Sequence, residues 1–559
     1  MSGLSVREKA AQLIMAPFYG EAPNTRSKAY REYVALVRDL QVGGLILLNR
    51  VQGGAAVKAE PYATGVFLNR MQRLAGIPLL VGADFERGAS MRVSGTPQFP
   101  HAMAFGAADD LESTRALGRA TARECRALGV HWLFAPSADV NSNPDNPVIG
   151  IRSFSSDPNV VARHVEAFLQ GARQDPAFQV LTTVKHFPGH GDTTIDSHVG
   201  LGVIDADRAR LLRVELVPFQ AAIRAGVDAV MTAHISVPAL ETAPIPATIS
   251  AAINTELLRG ELGFHGLLST DALDMQALSR SLPPGEAAVR ALLAGADLLL
   301  APPNPREAVR AIAAAVQSGR IPMARLNRSV EKLLAAKVRL GLHRQRLVNL
   351  EAMEELLDLE EDRALAQSVA ERAVTLVKNE GSVLPLRDPD SACWLVLSGS
   401  RFSGTGRRLL EELRSRAPAA RTHHLDPQAP IEQLNAIADS LPGCASVVTV
   451  MFTMAGVSSN GEAVPGNYTA LLARLRDISR PWVMVAMGNP YLVNHFPEVT
   501  AYVAAFSTVE PSEIAVLRAL LGEIPMPGRL PITLNRRERA SAAGARQPGL
   551  PAAASRTTP

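Results

Sequence analysis

The chain has 559 residues, 47% of them hydrophobic and 20% charged, which suits a soluble globular protein of two or more domains and excludes a disordered one. Lys and Arg number 57 against 54 Asp and Glu, for a formal charge of +3. That excess is too small and too scattered to point to nucleic acid or to an acidic membrane surface, and no apolar run is long enough to span a bilayer.

From the N-terminus, Met1 to Lys9 carries no apolar stretch of signal-peptide type, so a cytoplasmic, reducing location is expected. Short apolar runs then alternate with amphipathic stretches. Strands are predicted at Gln12–Pro17, Gly44–Leu48, Leu79–Ala83, His131–Ala135, Val180–Val184, Ala229–Ala233, Leu267–Thr270 and Asp297–Ala301. Most are continuously apolar, as strands covered on both faces are. Helical spacing is plain at Leu111–Leu128 and at Asp207–Ala225, where Leu211, Leu212, Glu215, Leu216, Phe219 and Ala222 share a face. Eight strand–helix units predict an α/β fold, a (β/α)8 TIM-type barrel over 1–345, with a doubly wound open sheet as the rival.

A charged helical stretch, Leu350 to Leu376, predicts a linker over 346–375. Beyond it, apolar runs at Trp394–Leu397, Val447–Phe452, Trp482–Met487 and Ala501–Phe506 predict a smaller α/β layered domain over 376–535, with helices at Ala470–Ile478 and Pro511–Leu521. The tail over 536–559 is rich in Ala, Arg, Pro, Ser and Thr and is expected to be disordered. Cys125, Cys393 and Cys444 are far apart and odd in number, so no disulfide framework is expected.

In a barrel of this kind the strand C-terminal ends form the active face. Polar residues collect there: Asp84 and Glu86, Asp139 and Asn141, Lys185 and His186, His234, and Asp271. The densest stretch is Lys185-His186-Phe187-Pro188-Gly189-His190-Gly191-Asp192, followed by Asp196-Ser197-His198. In a loop, Asp196 can orient the His198 ring, which can then carry a proton to and from a leaving oxygen; a loop histidine satisfied by backbone is the plainer reading. Asp271, ending an apolar strand, can act as a carboxylate nucleophile or simply cap the next helix, in which Asp274 would be a first-turn residue. Asp84 can accept from hydroxyl groups, and Arg152, Lys185 and His186 can donate to them; each can equally be half of a buried ion pair. Asp139 can hold the turn containing Asn141 and Asn143. His186, His190, Asp192, Asp196 and His198 are metal-ligand types, but their spacing fits no zinc motif, so no metal and no other cofactor is expected.

The histidine segment resembles the signature of family 3 glycoside hydrolases of the β-N-acetylglucosaminidase, NagZ-like branch. Leu4 to Lys9, Phe134-Ala135-Pro136 with Asp139-Val140-Asn141, Asn146 to Gly150 with Arg152-Ser153-Phe154, and Met231-Thr232-Ala233-His234 agree with it in order and spacing. Leu376 to Leu386, Gly488-Asn489-Pro490-Tyr491 and Gly528-Arg529-Leu530-Pro531 resemble the family's second domain. The resemblance implies an exo-acting, retaining β-N-acetylglucosaminidase with a covalent glycosyl-enzyme. Asp271 is similar to the nucleophile, His198 with Asp196 to the acid/base, and Asp84, Arg152, Lys185 and His186 to sugar-binding residues. The substrate class implied is a β-linked N-acetylglucosamine saccharide, such as a peptidoglycan-derived fragment. Alternatives are a family 3 β-glucosidase or xylosidase using Glu462 or Glu510 as acid, an N-acetylglucosamine phosphorylase, and a non-catalytic sugar-binding protein. One segment departs from the pattern: Asp84-Phe85-Glu86-Arg87-Gly88-Ala89 stands where the family usually reads Asp-Gln-Glu-Gly-Gly-Arg.

Overall fold

The computed structural model describes residues 3–52, 55–197, 199–453 and 464–534. His198, Glu462 and the tail over 536–559 lie outside the described residues.

Eight parallel strands form one barrel: β1 (Ile14–Phe18), β2 (Gly44–Leu47), β3 (Leu80–Ala83), β4 (Trp132–Leu133), β5 (Leu181–Phe187), β6 (Ala229–Thr232), β7 (Leu267–Thr270) and β8 (Leu299–Leu300). Neighbours pair in chain order, and β8 returns to β1 through Ile14↔Leu299 and Met15↔Leu300. A bridge between Ser269 and Leu298 closes the ring, with Thr270 N–H donating to Leu298 O. Every residue of β2, β3, β5, β6 and β7 is buried, which is why these strands are rich in apolar residues rather than alternating with charged ones.

Two expected boundaries are corrected. β5 runs on through Lys185 and His186, so both lie in the strand rather than in the loop after it. The stretch Asp207–Ala225 is two helices, Arg208–Arg213 and Val217–Arg224. Pro218 lacks an N–H and its ring would clash with the Val214 carbonyl, so the first helix cannot continue through it.

The second sheet has six strands: β9 (Thr375–Asn379), β10 (Ala392–Leu397), β11 (Arg421–Leu425), β12 (Ser446–Met451), β13 (Trp482–Ala486) and β14 (Ala501–Ala504), in the order β9-β14-β13-β12-β10-β11. Only β9 is antiparallel. The helix Glu360–Ala373 packs on both halves of the chain: it touches the helix Glu510–Leu520 and, on the barrel side, Ala102–Ala108. Met103, Ala104, Ala107 and Ile151 of the first half share a buried cluster with Leu395, Trp482 and Tyr491 of the second. The second sheet therefore packs against the barrel's outer helix Ala102–Ala108 through an apolar interface.

Contrary to expectation, Cys393 and Cys444 form a disulfide, with Cα atoms 5.8 Å apart. Cys393 lies on β10 directly opposite Val447 of β12, so strand pairing brings together two cysteines that are distant in sequence. Among the described residues no helix is long and apolar enough to cross a membrane.

Candidate active site

The polar ends of β3, β5 and β7 converge on one cavity of about 270 Å3, lined by Asp84, Glu86, Met91, Arg92, Val148, Arg152, Lys185, His186, His190, Ser197 and Asp271. Lys185 is buried at its centre. Its Nζ donates to Asp84 Oδ1 at 2.8 Å and lies 2.9 Å from Glu86 Oε1. Arg152 clamps Glu86 from the other side, Nε at 3.0 Å and Nη2 at 2.6 Å, and Arg92 reaches Asp84 at 3.2 Å. Burial alone would raise both carboxyls; Lys185 and Arg92 hold Asp84 below its ordinary value, and Arg152 and Lys185 hold Glu86 well below. Asp84, Arg152 and Lys185 are thus both ion-paired and cavity-lining. The two readings open in the sequence are one arrangement. A belt of fixed, oppositely charged groups of this kind can form hydrogen bonds to a polyhydroxylated ligand.

Asp139 is fully buried behind this belt. Its Oδ2 meets His186 Nδ1 at 2.7 Å and accepts Ser137 Oγ at 2.9 Å, while Oδ1 accepts the backbone N–H groups of His186 and His190 at 3.1 and 2.7 Å. The His186 ring is therefore fixed with its Nδ1–H on Asp139 and its Nε2 edge toward Arg152, 3.5 Å away. The Lys185–His186 and Phe187–Pro188 peptide bonds are cis.

The histidine segment is anchored at several points beyond Asp139. Asn146 Nδ2 donates to His190 O at 2.8 Å, and Asn143 Nδ2 to Asp192 O at 3.2 Å. A Cβ on Gly191 would fall 1.7 Å from Val140 O, so only glycine allows the segment to lie this close. Arg210 pairs with Asp192 at 2.8 Å and with buried Glu215 at 3.2 Å. His190 Nε2 meets Ser197 Oγ at 3.0 Å, and burial pushes its ring down to about 4, so it stands neutral in the cavity wall.

Asp271 follows β7, half-buried, with its backbone N–H on Thr232 O at 3.2 Å and its Oδ1 accepting the Ala272 N–H at 2.8 Å. It caps no helix: the next one is Gln276–Ser279, capped by Met275. Asp274 is exposed before that helix and does not line the cavity. Burial opposes ionisation of Asp271, but His186, His234, the Ala272 N–H and Lys185 outweigh it and hold the carboxyl below its ordinary value. His234 is itself a positioning residue, with Nδ1 2.6 Å from Thr248 Oγ1 and Nε2 2.8 Å from Ala272 O.

Asp196 is half-buried and its carbonyl accepts the N–H groups of Val199 and Gly200. Both flanks of position 198 rest on the segment after Asp271: Ala277 N–H donates to Ser197 O at 3.3 Å and Arg280 to Val199 O at 3.2 Å. Ser197 and Asp271 line the same cavity. Glu510, the alternative acid, is an exposed residue at a helix start and lies outside the lining of this cavity. Among the described residues no group of three His, Cys, Asp or Glu side chains is placed to hold a metal ion.

Residues 5–336 match the family model described as glycosyl hydrolase family 3 N terminal domain. The chain belongs to glycosyl hydrolase family 3. This family 3 hydrolase is 30% identical to beta-hexosaminidase A of Pseudoalteromonas piscicida, over 90% of its own length and 91% of that protein's. It is 28% identical to the beta-N-acetylglucosaminidase/beta-glucosidase of Cellulomonas fimi, covering 94% and 93% of the two chains. Its fold superposes with a TM-score of 0.85 on a family 3 beta-N-acetylglucosaminidase from Paenibacillus sp. str. FPU-7, at 34% identity, over 95% of this chain and 99% of that one.

Several residues of this cavity carry no role that the sequence alone reveals. Glu86 stood next to Asp84 at a strand end, yet only the structure gives it two cationic partners. Arg92, Met91 and Val148 carry no signal in the sequence, since none lies in a barrel strand and only the folded chain brings them to the cavity. Tyr491, from the second half, joins the site's framework as an acceptor: Asn141 Nδ2 donates to its hydroxyl oxygen at 2.9 Å.

Proposed function

We propose that the protein is a retaining exo-β-N-acetylglucosaminidase acting by double displacement. The observation that carries the reading is that the depressed Asp271 carboxyl shares one small cavity with the Asp84–Lys185–Glu86–Arg152 belt and with Ser197, the neighbour of His198. A cavity of about 270 Å3 is at the lower end of ligand sites, the size of one sugar ring rather than a chain. Exo action follows from that size.

In the first step an Asp271 oxygen attacks the anomeric carbon as the bond to the leaving oxygen breaks, and protonated His198 gives its proton to that oxygen. In the second, neutral His198 takes a proton from water, the water oxygen attacks the anomeric carbon, and Asp271 departs as carboxylate. Asp196 holds the imidazole and stabilises its charged form. Asp84, Arg152, Lys185 and His186 hold the ring hydroxyls so that the anomeric carbon faces Asp271. The names of the relatives, beta-hexosaminidase and beta-N-acetylglucosaminidase, support N-acetylglucosamine as the sugar released. Peptidoglycan-derived fragments are the substrate class proposed. The matching division of labour is a catalytic barrel over 1–345, a helical linker over 346–375 and a second domain over 376–535 that buttresses the site through Tyr491.

The deciding experiment compares an aryl β-N-acetylglucosaminide with the aryl β-glucoside, each with and without inorganic phosphate, and follows the anomer released by NMR. Faster cleavage of the N-acetylated substrate, with the β-anomer released first and no phosphate dependence, is expected. Release of the α-anomer, or of a sugar phosphate, would overturn the reading.

A further inference from the structure

Beside the first cavity lies a second, of about 180 Å3, lined by Glu86, Arg87, Met91, His101, Ala102, Pro136, Ser137, Arg152 and Phe154. It shares Glu86, Met91 and Arg152 with the first, so the two are neighbouring chambers. Its charge is unbalanced. Glu86 is already answered on both oxygens by Arg152 and Lys185, and Asp84 by Lys185 and Arg92. Arg87 makes no ion pair and no hydrogen bond among the described residues. It is nonetheless half-buried, and the loop that carries it is rigid: Gly88 has a φ of +78°, where a side chain would strike Phe99 and Glu124, and Ala89 N–H donates to Glu124 Oε2 at 2.7 Å.

His101 faces the same space. It is 6% exposed, and Ser507 of the second half lies 3.0 Å from its Nδ1, which leaves Nε2 as the ring's remaining polar atom. Burial brings the Arg87 guanidinium down to about 10, still charged at neutral pH. Ser137 also lines it, with its hydroxyl already donating to Asp139, and the remaining walls are apolar: Met91, Ala102, Pro136 and Phe154. A desolvated guanidinium costs free energy unless something completes its hydrogen bonds, and oxyanions are the groups whose geometry matches its planar fork.

We propose that this second chamber is an oxyanion site, taking a sulfate, phosphate or carboxylate group carried on the bound sugar away from its reacting carbon, or the same group as a small free anion. Asp271 lines the first chamber and not the second, so an anion held by Arg87 does not occupy the place of an attacking nucleophile. The proposal rests on the sugar-cleaving reading above.

The test uses the full chain, with Arg87→Met and Arg87→Lys beside the wild type. The substrates are a neutral aryl β-N-acetylglucosaminide and its derivatives sulfated singly at the 3-, 4- or 6-oxygen; sodium sulfate alone is titrated by calorimetry. At least one sulfated substrate is expected to lose roughly ten- to hundredfold in kcat/KM with Arg87→Met, the range for one charged hydrogen-bonded contact, while the neutral one changes less than about threefold. Arg87→Lys should recover part of the loss. Sulfate binding to the wild type that Arg87→Met abolishes, with no gain for any sulfated sugar, would identify the free anion as the occupant. Equal losses on neutral and sulfated substrates, or no sulfate response of either kind in the wild type, would overturn the proposal. A wild type that binds sulfate through Arg87 but cleaves none of these glycosides would instead refute the sugar assignment and leave the anion site standing.

Discussion

Asp139 Oδ2 lies 2.7 Å from Nδ1 of His186, and the other oxygen of the same carboxylate accepts the backbone N–H of His186. One buried group thus fixes both the ring and the chain of a residue that lines the cavity. Asp139→Ala would strand these donors, together with the His190 N–H, away from water. We expect a stability loss of about 3 kcal/mol in denaturant titration, the cost of breaking a buried pair on one side, and a fall in kcat. Asp139→Asn should be milder in stability. An unchanged midpoint for Asp139→Ala would refute the anchoring role.

Asp271→Gly should lower kcat on aryl N-acetylglucosaminides by roughly 10^4-fold or more while preserving the circular dichroism spectrum, as loss of a nucleophile does. Added azide should restore turnover by entering the vacated space. Because the Asp271 carboxyl is held below its ordinary value, the ionised nucleophile is present above that lowered value and is lost only as pH falls through it. The acid limb of kcat/KM, read in brief pH-jump assays, should therefore lie below about 3.9, the ordinary aspartate value. A limb well above that would place the nucleophile elsewhere.

His198→Ala should cost roughly 10^2- to 10^4-fold on substrates with poor leaving groups and far less on activated aryl glycosides, which need no proton. Asp196→Asn should show the same pattern in weaker form. Equal losses across a leaving-group series would remove His198 from proton transfer.

Glu124 is fully buried under the Asp84–Ala89 loop, and burial pushes its carboxyl up to about 8. The folded state holds a proton that the unfolded state releases near pH 4.5, so this group's contribution to stability falls as pH rises from about 4.5 to about 8. Glu124→Gln removes that titration and keeps an oxygen for the Ala89 N–H. Its melting temperature should match the wild type near pH 5 and exceed it above pH 8; a parallel decline in both proteins would refute this.

Exhaustive chelation should leave activity unchanged. The ligand-type side chains of the histidine segment are turned to separate partners: His186 to Asp139, Asp192 to Arg210 and His190 to Ser197. Loss of activity that returns with an added divalent ion would reinstate a metal.

The barrel was legible because its strands are buried on both faces, and continuous apolar runs such as Gly44–Leu47 show in the sequence alone. β9 and β11 were missed as strands for the opposite reason. Both are edge strands, and residues such as Arg421, His424 and Leu376 face solvent, so no unbroken apolar run marks them. The Cys393–Cys444 disulfide was missed because cross-strand pairing, not sequence distance, decides which thiols meet.

Residue types at strand ends were enough, from the sequence, to name Asp84, Lys185, His186 and Asp271 as candidates, since a charged group ending a buried strand has few places to point but the barrel mouth. Tertiary structure alone decided their partners. Which cation answers Glu86, that Asp139 holds the histidine segment, that Tyr491 reaches across from the second half and that Arg87 makes no ion pair among the described residues all depend on distances between elements far apart in the chain. Electrostatic and hydrogen-bond energies are set by those distances, and strand order along a sequence does not contain them.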